Sequence, residues 1–101
     1  MRHKSFRIGH LQLNGVPVDL QLGDLVVAHP EAARNADWEI VLSTRSRLQL
    51  QRMPYDVHME TADGQARQLW GPGVLVRSDG FAHVFRGGGP LDGLRPGELE
   101  D

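Results

Sequence analysis

Asp56-x-His58-x-Glu60 is the run whose residue types come nearest to chemistry. On a β-strand alternate side chains share a face, so neighbours in this trio stand about 6.5–7 Å apart. Two of them could ligate a metal, or a carboxylate could orient the imidazole. A small-molecule or metal-dependent enzyme is therefore one reading of the chain. The plainer reading is a solvated strand face, with Glu60 opposite Arg67 in an ordinary cross-strand ion pair. The remaining histidines, His3, His10, His29 and His83, follow no ligand spacing. His83 stands between Phe81 and Phe85 and reads as a neutral core histidine with one partner. Ser5, Ser43, Ser46 and Ser78 lie in no nucleophile motif. Gly87-Gly88-Gly89-Pro90 has no lysine or helix behind it, so it is not a phosphate loop. No catalytic residue, metal site or cofactor is expected.

Arg45, Arg47 and Arg52 form a second constellation, which Arg67 and Arg77 would extend. A small barrel with an arginine face and an exposed aromatic can hold single-stranded nucleic acid. Tyr55 is the stacking candidate. Composition weighs against a dedicated nucleic-acid binder, because 13 acids face 11 lysines and arginines and the net charge is −2.

The chain has 101 residues and no cysteine, which suits one domain without disulfides or thiolate metal sites. No run approaches the ~20 apolar residues of a membrane-spanning helix. The basic start, MRHKSFRIGH, has no apolar core behind it and does not read as a signal peptide. The expected setting is cytoplasmic, or a virion if the gene is phage-derived, without membrane contact.

The elements that must position these residues are hairpins. The strongest is Val74–Arg86, VLVRSDGFAHVFR. Asp79-Gly80 predicts a two-residue type I′ turn, with positive φ at both positions. That turn sets Val76 opposite His83, Leu75 opposite Val84 and Val74 opposite Phe85. Val74, Val76, Phe81, His83 and Phe85 then share one face, and Leu75, Ala82 and Val84 the other. The hairpin is apolar on both faces and so needs cover on both.

Phe6–Leu22 reads as a hairpin turning at Asn14-Gly15. A β-bulge at Gly9-His10 would bring its eight apolar residues to one face, with Ile8 opposite Leu20 and Phe6 opposite Leu22. Pro17 places its strand at an edge. Leu25–Ala28 is a short strand, ended by His29-Pro30. Residues 30–35 suggest one short helical turn. Trp38–Ser43 alternates as a strand, and Arg47–Met53 does so more weakly. Tyr55–Trp70 is a third hairpin around Asp63-Gly64, with Val57 opposite Trp70 and Glu60 opposite Arg67. Residues 1–90 form one β domain. Residues 91–101 are a Gly/Pro-rich and acidic tail, in which Leu91 and Leu94 can fold back and Glu98–Asp101 frays.

The expected fold is all-β: a small antiparallel β-sandwich or barrel of about eight strands. The expected function is a non-enzymatic interaction or assembly module. It would self-associate as a homo-oligomer through the 74–86 hairpin, with Leu75, Val84, Leu91 and Leu94 as interface residues. Single-stranded nucleic-acid binding through Arg45, Arg47 and Arg52 is the alternative, and an enzyme built on Asp56, His58 and Glu60 the second.

Overall fold

A computed structural model describes residues 2–29, 36–95 and 98–99. Every regular element among them is a strand: β1 (Arg2–Leu13), β2 (Val16–Pro17), β3 (Leu20–His29), β4 (Asp37–Thr44), β5 (Pro54–Thr61), β6 (Gln68–Ser78) and β7 (Ala82–Gly87). All pairings are antiparallel, in the order β2-β1-β3-β4-β7-β6-β5, and β1 also pairs with β5. The β1–β5 ladder closes six strands into a barrel and leaves β2 outside it. Closure removes most free sheet edges. The helical turn expected over 30–35 lies outside the described residues.

Period-two patterning builds the core. Along β4, Trp38, Ile40, Leu42 and Thr44 point inward, and along β5 Tyr55, Val57, Met59 and Thr61 do the same. Phe85 is fully buried and meets Tyr55 edge-on, with centroids 5.5 Å apart at 87°. Tyr55 is therefore a core residue, not the exposed stacking ring expected. Its hydroxyl donates to Gln51 O at 2.8 Å. Trp38 fills one end of the barrel and donates its indole N–H to Gly89 O at 3.0 Å. Gly73 makes room for it. A Cβ there would stand 2.7 Å from Val57 Cγ2 and 3.3 Å from Trp38 Cη2.

The first hairpin turns at Asn14 (φ 52°) and Gly15 (φ 79°), with Leu13 opposite Val16. The bulge at Gly9 is present, and the β1–β5 register shifts between Ile8 and His10. Pro17 sits in the outermost strand. Beyond Pro17 the expected pairing fails. Leu20 starts a new ten-residue strand that absorbs Leu25–Ala28, and Ile8 lies opposite Gly23 and Phe6 opposite Leu25. Val16 and Leu22 are consequently exposed.

Two further registers differ from expectation by one or more residues. In the β6–β7 hairpin only Gly80 has positive φ (94°), and Asp79 does not. The loop between the strands is residues 79–81, and the first β6–β7 pair is Ser78 opposite His83, followed by Arg77 opposite Val84. A bulge at Val76 then sets Leu75 opposite Phe85. A one-residue slip exchanges the faces of a strand. Leu75, His83 and Phe85 point inward, while Val74, Val76 and Phe81 are exposed. In the β5–β6 hairpin, Asp63 Oδ1 accepts from Thr61 Oγ1 at 2.8 Å and from Gln65 N at 3.0 Å, which widens the loop to residues 62–67. His58 then faces Trp70, Met59 faces Leu69 and Glu60 faces Gln68. Residues 47–53 form no strand, although Leu48 and Leu50 are half-buried and Leu50 packs on the core.

The tail is not a loose appendage. Leu91 is buried, Leu94 packs on the core, and Asp92 bridges to Trp70 by two backbone hydrogen bonds of 2.7 and 3.1 Å. Glu98, expected to fray, is held among Arg67, Lys4 and the Arg95 N–H.

Candidate functional site

Asp56, His58 and Glu60 do share the outer face of β5. The His58 ring lies against Trp70, with centroids 6.1 Å apart and tilted by 41°. Glu60 accepts from Gln68 Nε2 at 2.9 Å and has His10 Nε2 at 3.7 Å. Arg67, its expected partner, bonds Glu98 instead, because a one-residue shift sets Gln68 opposite Glu60 and joins the Arg67 backbone to Thr61. Among the described residues no three histidines or carboxylates converge as a metal site would require.

Arg67 donates to both oxygens of Glu98, with 2.8 Å from Nη2 to Oε1, and Lys4 Nζ reaches Oε2 at 3.0 Å. Both the Arg67 and Glu98 side chains are buried. The Arg67 hydrogen bond holds the Glu98 carboxyl down at about 2, against the opposing effect of burial. This network ties the tail to β1 and to the 62–67 loop. Glu98 is 31 residues from Arg67 in the chain, so no local pattern points to it.

His83 is fully buried between the β6 and β4 walls, opposite Ser78 and Leu42. Ser78 Oγ lies 2.7 Å from Nδ1, and Nε2 has no hydrogen-bond partner among the described residues. Burial pushes the imidazole pKa down, more strongly than the Gly80 backbone and Asp79 raise it.

The arginines divide. Arg45 turns to Asp19 at 3.2 Å. The Arg47 guanidinium lies 5.1 Å over the Phe81 ring. Arg47 and Arg52 line a groove of about 530 Å³ between residues 47–52 and the end of β6, where Leu75, Val76, Arg77, Ser78 and Gly80 form the other wall.

The four expected interface residues also divide. Leu75 and Leu91 are taken into the core, and Leu94 packs half-buried against it. Only Val84 faces outward on a strand, half-buried. Its neighbours make the face larger than the sequence suggested. Val26, Val41, Val74 and Val76, with exposures of 42–48%, stand around it on β3, β4 and β6. One end of this wall is a cleft of about 480 Å³ lined by Val26, Ala28, Asp37, Trp38, Glu39, Arg86 and Gly87. Val26 and Val41 are alternating-strand valines, a signal present in the sequence but legible only once β3, β4, β7 and β6 are known to be neighbours.

No helix among the described residues is long and apolar enough to cross a membrane. The chain matches no family model, no curated protein and no solved structure.

Proposed function

We propose that this barrel is an assembly module that pairs with a second copy of itself through the outer wall of β4 and β7. The observation that carries the reading is the order of residues across that wall. One row runs Asp24, Val41, Val84, Arg77 and the next runs Val26, Glu39, Arg86, Val74. Each row reads as its own complement when reversed. The first is acid–valine–valine–base, and the second is valine–acid–base–valine.

A two-fold axis along the strands, passing between β4 and β7, reverses each row against itself. It sets Val41 on Val84 of the second copy and Glu39 on Arg86 of the second copy. Such an isologous contact is the default geometry of homodimers. Burying the valines removes apolar surface from water at roughly 25 cal/mol per Å². The charges fix the register and disfavour a parallel slip. Within one copy, Glu39 and Arg86 already stand 3.5 Å apart, so the contact would complete a four-charge cluster.

The test is a mixing experiment on two surface variants. Val41→Glu and Val84→Arg should each be monomeric by light scattering while keeping the wild-type circular dichroism spectrum. Mixed, they should form a one-to-one heterodimer, because Glu at 41 then faces Arg at 84. A wild-type protein that stays monomeric at its highest attainable concentration, or variants that dimerise as wild type does, would sink the reading.

A further inference from the structure

Within the closed barrel, the end of β6 borders an unpaired seam. The β5–β6 ladder ends where Pro54 faces Val74, but β6 runs on for four residues to Ser78. Pro54 has no N–H to extend the ladder. On their β7 side Leu75, Arg77 and Ser78 are paired, and on the other side they have no strand neighbour among the described residues. The opposite wall is residues 47–52, which make no backbone hydrogen bond to β6. Both ends of the seam are pinned. Leu48 N donates to Gly80 O at 2.8 Å at one end, and the Pro54–Val74 pair holds the other. Between them lies the 530 Å³ groove, within the range of roughly 300–1,000 Å³ usual for binding sites.

An unpaired strand edge exposes N–H and C=O groups at strand spacing, which is a template for another extended chain. The side chains around this edge choose its partner. Arg47, Arg52 and Arg77 line the groove. Asp79, 3.6 Å from Arg77, is the carboxylate beside them. Among the described residues Arg52 has no ion pair, and Arg47 is engaged only with the Phe81 ring. The local charge is thus positive on a chain whose net charge is −2.

We infer that this seam takes an acidic peptide segment in extended conformation, which adds to the free edge of β6 and sets its carboxylates against Arg47, Arg52 and Arg77. Four residues of strand span about 13 Å, so the paired stretch is short and the segment leaves the barrel at each pinned end. Guanidinium groups hold carboxylates through paired N–H donors, which suits Glu and Asp side chains on alternate positions. A nucleic-acid strand fits less well. Base binding without sequence preference relies on free aromatic faces, and here Tyr55 is buried and Arg47 covers a face of Phe81. The seam lies on the side of β6 away from β7, and it shares Arg77 with the rim of the β4–β7 wall.

The probe is a capped synthetic hexapeptide alternating Val and Glu, titrated into the full-length protein by fluorescence anisotropy. Binding should weaken about tenfold in each of the Arg47→Glu and Arg52→Glu variants and fall with added salt. Both side chains are exposed, so the variants should keep the wild-type circular dichroism spectrum. A second peptide, N-methylated at the alternate amides that would face β6, should lose binding although its charge is unchanged. Three results would overturn the inference: no binding of the first peptide to wild type, equal binding of the methylated one, or tighter, arginine-dependent binding of an oligothymidylate. The Val41→Glu variant, whose seam is intact, should bind the peptide at least as tightly as wild type, so loss of dimerisation and loss of peptide binding are read independently.

Discussion

The turn at Asn14-Gly15 and the loop at Asp79-Gly80 do the same job with different geometry. Both join antiparallel strands, and both place a glycine after a short polar residue. At the first, Asn14 and Gly15 both take positive φ and two residues suffice. At the second, Asp79 stays on the ordinary side and its carboxylate accepts the Ala82 N–H at 3.2 Å. The difference lies in what surrounds each. Asn14 is braced from outside: its N–H donates to Asp56 O at 2.9 Å, and its side-chain oxygen accepts from Asp56 N at 2.7 Å. Neither contact asks the turn to open. The Asp79 loop must instead present two carbonyls to other segments, Phe81 O to Thr44 N and Gly80 O to Leu48 N, both at 2.8 Å. A buried or half-buried N–H left unpaired costs about 1–3 kcal/mol, enough to outweigh the preference between two turn types. The lesson is that a turn's own residues set its register only where no neighbour needs its backbone.

The largest expected effect tests the register that the β6–β7 hairpin adopts beyond the wide loop, with its bulge at Val76. Phe85→Ala should cost roughly 3–5 kcal/mol and Leu75→Ala roughly 2–5 kcal/mol in chemical denaturation, because both side chains lie in the core. Without the bulge at Val76 either loop would leave Leu75 outside, so a Leu75→Ala cost below about 1 kcal/mol would show that the hairpin keeps an unbroken register. The next effect concerns the third loop, residues 62–67, which frees Arg67 for Glu98. Glu98→Gln should cost roughly 3 kcal/mol at neutral pH, since it leaves a buried guanidinium without its counter-charge. Glu98 is held at about 2 in the fold, against 4.5 ordinarily. Its folded pKa is depressed, so its contribution is full above about 4.5 and is lost as pH falls towards about 2. Wild type and Glu98→Gln should therefore converge in stability on acidification through that window.

A smaller pair of effects separates the two turns directly. Gly15→Ala and Gly80→Ala should each cost about 1–2 kcal/mol, since both glycines have φ in the left-handed region. Open space surrounds Gly15, whereas a Cβ on Gly80 would stand 2.9 Å from Arg47 Nη1. Only the second substitution should therefore also weaken the acidic hexapeptide. The smallest effect sharpens the same point. Val76→Thr should shift stability by less than about 0.5 kcal/mol, because the bulge turns Val76 outward. A cost above about 1 kcal/mol would mean that Val76, not Leu75, faces the core.

Most strands were legible before any coordinates. Trp38–Ser43 alternates cleanly and is a strand with Trp38, Ile40 and Leu42 inside. Asn14-Gly15, the Gly9 bulge and the edge position of Pro17 were equally plain, because each follows from a residue's own φ range or missing N–H. The proposed wall and seam were only half legible. Val84, Arg47 and Arg52 stood out by type, but Val26 and Val41 join Val84 only through β3–β4–β7 adjacency. Leu75 faces inward because of the bulge at Val76, which no residue type in the run marks; the wide loop alone shifts the register by two and leaves the faces unchanged.

Alternation along the chain alone determined that this protein is all-β, roughly where its strands lie, and that the 74–86 hairpin is apolar on both faces. Those properties are local, set by a two-residue period and by the dihedral limits of glycine and proline. Tertiary structure decided that the sheet closes β1 onto β5, that Leu75 goes in and Val76 out, and that Glu98 is clasped by Arg67 and Lys4. Those outcomes depend on hydrogen bonds and charges between segments far apart in sequence. A slip of a single residue, invisible to any local pattern, is enough to exchange the buried and exposed sides of a strand.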